Sequence, residues 1–287
     1  MKNISFKYFG LIILALGATV VFLVFQATDK TSHETNIAAT EPKIEAGPAS
    51  IATGVKSDST PSAKSNIEKI KTQDDWATPD NLAFIEKWQT ERGHLEEEFE
   101  NYATYSVSDL EEMADAGDKV ALEMLPTKYY EFVQNNKDTL SKEAVVHINE
   151  KAQQAYVNAA VRGSTRALIR MGDEVLLRGI ASRSDEEIKH TLKSTLLFYK
   201  TAIIRGDLEA ELKQLRLLDR YPQIDISAED LNVVNDKSRD YYNFLSEERE
   251  KLGLDSFDNS VPDIVRKYYK TLTDFYLGKR LASGSRS

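Results

Sequence analysis

Cysteine is absent from this 287-residue sequence. Its absence excludes disulfide bonds, thiolate metal sites and lipid attachment through cysteine, so the chain is indifferent to the redox state of its compartment. Catalytic signatures are missing as well: there is no Gly-rich phosphate loop, no Gly-x-Ser-x-Gly elbow and no helix with paired histidines. The sequence therefore predicts a protein that is not an enzyme and that uses neither a metal nor a cofactor.

Basic residues are fewer than acidic residues in this chain. Lys and Arg number 37 against 46 Asp and Glu, which gives a formal net charge of -9 and a pI near 5.2. A nucleic-acid-binding protein needs a basic stripe to neutralise phosphates. We therefore expect no nucleic-acid partner.

Residues 8–25 contain no charged side chain, and Lys2 and Lys7 precede them. As a helix this run would extend about 27 Å, close to the roughly 30 Å thickness of the hydrocarbon core of a bilayer. Basic residues on the amino side favour a cytoplasmic N-terminus. We predict that 1–27 is a transmembrane signal-anchor of a single-pass bacterial inner-membrane protein whose C-terminal domain lies in the periplasm. The alternative is a cleaved signal peptide and a secreted periplasmic protein, although no clear small-x-small cleavage site follows the run.

Aromatic residues are missing from 27–75, where Ala, Ser, Thr, Pro and Lys dominate. Such a segment cannot bury enough apolar area to offset the entropy lost on ordering. The sequence predicts a disordered tether over 28–75, with a root-mean-square reach on the order of 40 Å.

The remainder, 76–287, has apolar residues at helical spacing and no long alternating segment typical of a strand. We therefore predict an all-α domain. Pro79 begins a helix that runs to about residue 105, and Ser227 and Asp230 form a capping box before another. The expected helices are 79–105, 107–116, 118–136, 141–162, 164–180, 185–205, 207–219, 228–252 and a last one from 262, the final two forming C-terminal capping helices over 228–283.

An eight-position skeleton recurs three times in this domain. A glycine is followed by Asp or Ser and, three residues later, by Ala; the glycines lie 46 and 43 residues apart. Glycine tolerates the left-handed conformation just past a helix end, Asp or Ser caps the next helix, and Ala permits close helix crossing. The three copies are Gly117, Asp118 and Ala121; Gly163, Ser164 and Ala167; and Gly206, Asp207 and Ala210.

The pattern Ala-x-x-Gly-Asp/Ser-x-x-Ala, followed in the middle copy by Met171 and Gly172, resembles the Sel-one-like repeat, a relative of the tetratricopeptide repeat. The first and third copies lack the second glycine. The resemblance covers a repeat core of about 107–220. It implies a short right-handed α-solenoid of antiparallel helical hairpins with extra N- and C-terminal helices, and a superhelical surface for binding other proteins.

The function expected from this resemblance is a membrane-tethered periplasmic scaffold or adaptor, with partners that are other proteins in or near the cell envelope. The enzyme alternative is a helical hydrolase acting on cell-wall material, which would need a catalytic Glu with a raised pKa in a deep cleft. The C-terminal aromatic face of Ile264, Tyr268, Leu272, Phe275 and Tyr276 is expected to cover the open end of the repeats, with a partner-binding groove as the alternative.

Few polar side chains are candidates for a metal or ligand site. His94 could share a helix face with Glu97 and Glu98, which is too small a set for a metal site. Arg166 and Arg170 are expected on one helix, with Arg162 on the helix before it.

Overall fold

The computed structural model describes residues 77–94, 96–180 and 184–284, and all regular secondary structure in those ranges is α-helical. The predicted all-α class is confirmed. The predicted membrane anchor and tether lie outside the described residues. The helices are α1 (Pro79–Glu91), α2 (Glu96–Tyr102), α3 (Val107–Asp115), α4 (Lys119–Asn135), α5 (Lys142–Val161), α6 (Thr165–Gly179), α7 (Asp185–Ile204), α8 (Leu208–Arg220), α9 (Ala228–Lys251) and α10 (Asp263–Gly284).

Side-chain caps explain where most of these helices begin. A Ser, Thr or Asp oxygen accepts a backbone N–H from the first turn and so satisfies one of the donors that a helix start leaves unpaired. The capping box predicted at Ser227 and Asp230 is present at the start of α9. The N-cap residues are Thr78, Ser106, Asp118, Ser141, Ser164, Ser184, Asp207 and Ser227.

The prediction of one helix from residue 79 to about 105 is wrong, because α1 ends at Glu91 and α2 begins at Glu96. Gly93 has φ of +84°, a left-handed conformation that does not continue a helix. The N–H of His94 bonds to the carbonyl of Gln89, and that of Gly93 to Thr90, which is the Schellman ending of a helix. The other predicted boundaries agree with the structure to within a residue or two.

Neighbouring helices pack against one another in sequence order from α3 to α8, and α9 lies across α7 and α5. One large apolar cluster runs through these helices. The three predicted crossing alanines, Ala121, Ala167 and Ala210, are fully buried in it. Small side chains at these places let helix backbones approach closely.

A second cluster joins the two ends of the helical domain. Ile85 and Trp88 of α1 pack against Val265, Tyr268 and Tyr269 of α10, and α10 also contacts α8. Of the aromatic face expected on α10, Tyr268 is buried, whereas Phe275 and Tyr276 are half-buried. The helix therefore covers α1 as well as the last of the predicted repeat helices.

Candidate functional site

The three repeat glycines end their helices in the same way. Gly117, Gly163 and Gly206 have φ of 96°, 113° and 78°. At each of them the next residue donates its N–H to the carbonyl five positions back, as in Asp118 to Met113. These are three copies of one junction, in which glycine avoids the side-chain penalty of positive φ.

The residue after each glycine begins the next helix. Asp118 accepts from the N–H groups of Val120 and Ala121, and Ser164 accepts from Ala167 at 2.9 Å. Asp207 accepts from Ala210 through Oδ1 at 3.0 Å. Each of these N–H groups would otherwise be an unpaired donor at a helix start, so these side chains fix the short connection.

Gly172 lies inside α6, where it faces α7. A Cβ atom at this position would lie 2.7 Å from a ring carbon of Tyr199 and 3.3 Å from the carbonyl oxygen of Thr195. No side chain fits that space without movement. The glycine that the resemblance singled out in the middle copy therefore sets the separation of α6 and α7.

A fourth turn, Arg92-Gly93-His94, inserts between these junctions. The Arg92 carbonyl accepts from the backbone N–H groups of Thr165 and Arg166 at 3.1 and 3.2 Å, and the Gly93 carbonyl accepts from Nη1 of Arg166 at 3.2 Å. The turn thereby pairs with the first N–H groups of α6, where the helix dipole favours acceptors. The end of α1 is fixed to the start of α6 across 73 residues of sequence.

His94 forms a buried ion pair with Asp207. Its Nε2 lies 2.6 Å from Oδ2 of Asp207, and its Nδ1 lies 3.2 Å from Glu209. Thr165 also donates its hydroxyl to Asp207. Burial by itself would lower the pKa of His94, but the charge and hydrogen bond of Asp207 outweigh it and raise that pKa. Burial likewise acts to raise the pKa of Asp207, yet His94 and the hydrogen bonds to its carboxylate lower it.

The expectation that His94 shares a helix face with Glu97 and Glu98 is wrong, because His94 lies in the turn before α2. Its carboxylate neighbours are the N-cap residue Asp207 and, in the first turn of α8, Glu209. His147 and His190 are exposed. No group of three His, Cys, Asp or Glu side chains suited to a metal ion occurs within 77–94, 96–180 and 184–284.

Arginines cover the junctions. Arg205 donates to the carbonyls of Ala160 and Gly163, both at 3.4 Å, and Arg249 donates to Val161 at 2.9 Å. These carbonyls form the C-terminal end of α5, where the helix dipole favours cations. Burial, with the neighbouring Arg249 charge, lowers the pKa of Arg205 to about 9. The Arg205 guanidinium lies between the C-terminal end of α5 and the ring of Phe257, with its central carbon 3.3 Å from the ring centre. These contacts give Arg205 a structural role.

One cavity of about 200 Å³ opens between α2, α4, α5 and α6. Its polar residues are Glu123, Thr127, Tyr156, Arg166 and Arg170, and Phe99 and Met124 supply the apolar wall. The sequence prediction that Arg166 and Arg170 share a helix is confirmed, with Arg162 before the junction. Both arginines reach the same cavity, which spacing alone did not indicate.

Glu123 is the buried acid of this cavity, with 6% of its surface exposed. Burial raises its pKa to about 7, although a hydrogen bond with Ser164 and the charge of Arg166 oppose the increase. Its Oε1 atom has no hydrogen-bond donor and faces Gly93, where a Cβ would lie 2.4 Å away. Nothing in the sequence distinguishes Glu123 from the many other acidic residues.

A larger groove of about 500 Å³ lies along α4, α5 and α6. We call it the α4–α6 groove; it is lined by Tyr130, Val133, Gln134, Val145, Asn149, Glu174 and Arg178. Leu177, one turn from Glu174, is 72% exposed, and Val146 is also exposed one turn from Asn149. Apolar side chains this exposed beside a groove are typical of a protein-binding surface.

Sequence reasoning missed the Arg92-Gly93-His94 turn, although a signal for it exists. Arg-Gly occurs at 92–93, 162–163 and 205–206, so the turn repeats the ending of two predicted junctions. The position after Gly93 is His rather than Asp or Ser, and the spacing to Gly117 is short. For these reasons it did not match the repeat.

No protein-family model, no curated protein and no solved structure matches this chain. Within the described residues, no helix combines the length and apolar character needed to cross a bilayer. The predicted span of 8–25 lies outside those residues.

Proposed function

We propose that this chain is a membrane-anchored, extracytoplasmic scaffold that binds other proteins through a short right-handed solenoid of antiparallel helical hairpins. The proposal keeps the relationship to Sel-one-like repeats indicated by the sequence. The observation that carries it is a regular contact between successive junctions. Arg205, which precedes the third junction glycine, donates to Gly163 of the second junction.

A related proximity occurs one repeat earlier. Arg162 precedes the second junction glycine, and its guanidinium Nη1 lies 3.3 Å from the position that a Cβ would occupy at Gly117. Equivalent residues thus reach back to the preceding junction at both steps. A repeat array in which each unit contacts its neighbour has this relationship, which supports the proposed solenoid.

The binding surface we propose is the α4–α6 groove. Leu177 and Val146 provide apolar contact area, while Glu174 and Arg178 provide a polar edge. Apolar centres with polar rims are typical of protein interfaces. The partner would accordingly present an apolar side chain to this groove.

The test is a pull-down from detergent-solubilised membranes with the full-length chain and two single variants. Leu177→Glu places a charge beside the groove and should reduce partner capture at least tenfold. Leu252→Glu is the matched control, since Leu252 is 53% exposed but lies at the end of α9. Equal capture by the wild type and Leu177→Glu would exclude this groove as the binding surface.

The location is part of the same proposal. An uncharged run of 18 residues behind two lysines supports a single-pass inner-membrane protein with its helical domain in the periplasm. Alkaline carbonate should leave the chain in the membrane fraction. Soluble periplasmic protein with a new N-terminus near residue 28 would favour the secreted alternative.

A hydrolase acting on cell-wall material is the second candidate, because Glu123 has the raised pKa that a general acid needs near neutral pH. Glycoside hydrolysis generally uses two carboxylates, and the described lining of the cavity supplies one. Turnover of purified peptidoglycan by the wild type, abolished in Glu123→Gln with the fold intact, would support the enzyme. Absence of turnover in the wild type would exclude it for that substrate.

A further inference from the structure

The cavity between α2, α4, α5 and α6 has a buried polar atom without a partner on its wall. Glu123 is 6% exposed, and its Oε1 has no hydrogen-bond donor. Tyr156, only 4% exposed, lines the same cavity. Buried polar atoms in folded proteins are nearly always paired with protein, water or a ligand. The unpaired Glu123 oxygen therefore favours a polar group in this cavity.

Two arginines line the cavity. Arg166 and Arg170 are one helical turn apart on α6, so their guanidinium groups can act on the same ligand. Arg166 is held in place by its bond to the Gly93 carbonyl and by stacking over Phe99, at 4.0 Å from the ring centre. Arg170 is exposed and has no carboxylate within ion-pairing distance among the described residues. The guanidinium group of Arg166, which is held in place, and the exposed guanidinium group of Arg170 can together bind an anion.

The size of the cavity limits the ligand. Its volume of about 200 Å³ is below the roughly 300–1,000 Å³ typical of sites for drug-sized molecules. A group of a few heavy atoms fits. Guanidinium groups bind carboxylates and phosphates through paired N–H donors.

We propose that this cavity binds a small oxyanion, a carboxylate or a phosphate, through the guanidinium groups of Arg166 and Arg170 and the hydroxyl of Tyr156, beside the Glu123 carboxyl group. The site is separate from the α4–α6 groove. It goes beyond the proposed scaffold function, because it gives the helical domain a small-molecule ligand.

Glu123 makes this binding depend on pH. The groups that face it are Ser164 and Arg166 of α6, Tyr156 of α5, Lys119 of its own helix and His94 of the preceding turn. With its pKa raised to about 7, Glu123 is neutral in mildly acidic solution and can donate a hydrogen bond to the anion. When the pH rises through 7 the ionised carboxylate repels the ligand, so affinity falls.

The experiment is isothermal titration calorimetry of the full-length chain in detergent, with sodium acetate and inorganic phosphate as separate probes and sodium chloride as the ionic-strength control. We expect saturable heat at pH 6 with at least one oxyanion and none with chloride. Acetate is the probe for the pH series, since it stays ionised from pH 6 to 8. If acetate binds, its affinity should fall by up to about tenfold over that range, the ratio of the protonated Glu123 fractions at pH 6 and pH 8.

Three variants and one control test which residues hold the anion. Arg170→Gln and Tyr156→Phe should each weaken binding of whichever oxyanion binds about tenfold. Arg239→Gln, at an exposed arginine of α9 that lies outside both this cavity and the α4–α6 groove, should not. Glu123→Gln should keep binding and remove the acetate pH dependence. Circular dichroism of each variant establishes that it is folded.

Binding of acetate alone assigns the site to carboxylates, and binding of phosphate alone assigns it to phosphates. The absence of saturable heat from both probes at pH 6 overturns the proposal. It is also overturned if Arg170→Gln and Tyr156→Phe bind as tightly as the wild type. These outcomes do not involve partner capture, so failure here is distinguishable from failure of the scaffold proposal.

Discussion

The imidazole Nε2 of His94 lies 2.6 Å from the carboxylate Oδ2 of Asp207, although 113 residues separate the two in sequence. Asp207 at the same time caps α8 through its other oxygen, which accepts from Ala210. One carboxylate therefore fixes both a repeat junction and the turn that follows α1. Local helix capping and long-range docking depend on the same side chain.

Loss of this imidazole should destabilise the domain strongly. His94→Ala leaves Asp207 as a buried charge without its cationic partner, and breaking such a pair costs about 3–5 kcal/mol. His147→Ala is the control, because His147 is 70% exposed and should change stability by no more than about 0.5 kcal/mol. Urea unfolding followed by circular dichroism measures both. Equal midpoints for the two variants would contradict the structural role of the His94 pair.

A side chain at Gly163 should strain the backbone. Gly163→Val puts a β-branched residue at φ of 113°, which should cost on the order of 1–3 kcal/mol. The strain is conformational, since the nearest group to an added Cβ, Nη1 of Arg249, is 3.9 Å away. The expected result is a lower melting temperature.

The matched control is Gly278→Val, in α10. Gly278 has an ordinary helical backbone and no atom within 4 Å of an added Cβ. Valine is a better helix residue than glycine, so this variant should melt at the wild-type temperature or slightly above it. If Gly163→Val melts together with the control, Gly163 is not a junction glycine and the repeat alignment loses its main support.

Gly172→Ala tests close packing rather than backbone conformation. The added methyl would lie 2.7 Å from the ring of Tyr199, so α6 and α7 must separate or the ring must move. Overpacking of this kind costs about 1–3 kcal/mol. A denaturation midpoint at or above the wild-type value would show that the interface between α6 and α7 accommodates the added methyl group without strain.

Stability should fall as pH rises because of Glu123. Its pKa is raised from 4.5 to about 7 by burial, so the folded chain binds this proton more tightly than the unfolded chain. The contribution is fully present below pH 4.5 and is lost as pH rises to about 7, with a total on the order of 3 kcal/mol.

His94 acts in the same direction, since its pKa is also raised in the folded state. The difference between the wild type and Glu123→Gln therefore isolates the carboxyl group. Unfolding free energies at pH 5 and pH 8 should differ less in Glu123→Gln than in the wild type. An identical pH dependence would mean that Glu123 does not titrate between those values.

The amino-acid sequence by itself determined the helical class of this protein and most of its helix boundaries. Helix starts at Ser227 and Asp118, and helix ends at Gly163 and Gly206, follow from capping and glycine conformation within a few residues. The helical class also follows from apolar residues at helical spacing. These features were predictable because the interactions that fix them connect residues no more than about five positions apart.

Only the tertiary structure decided how those elements meet. The break at Gly93, the pairing of Trp88 with Tyr269, and the double role of Asp207 each involve contacts across distant parts of the chain. The same is true of Glu123, whose raised pKa comes from burial among several helices rather than from its sequence neighbours. Periodicity indicates which residues are apolar and which face of a helix they share. It does not determine which distant helix covers that face, because burial and electrostatics depend on the complete packing.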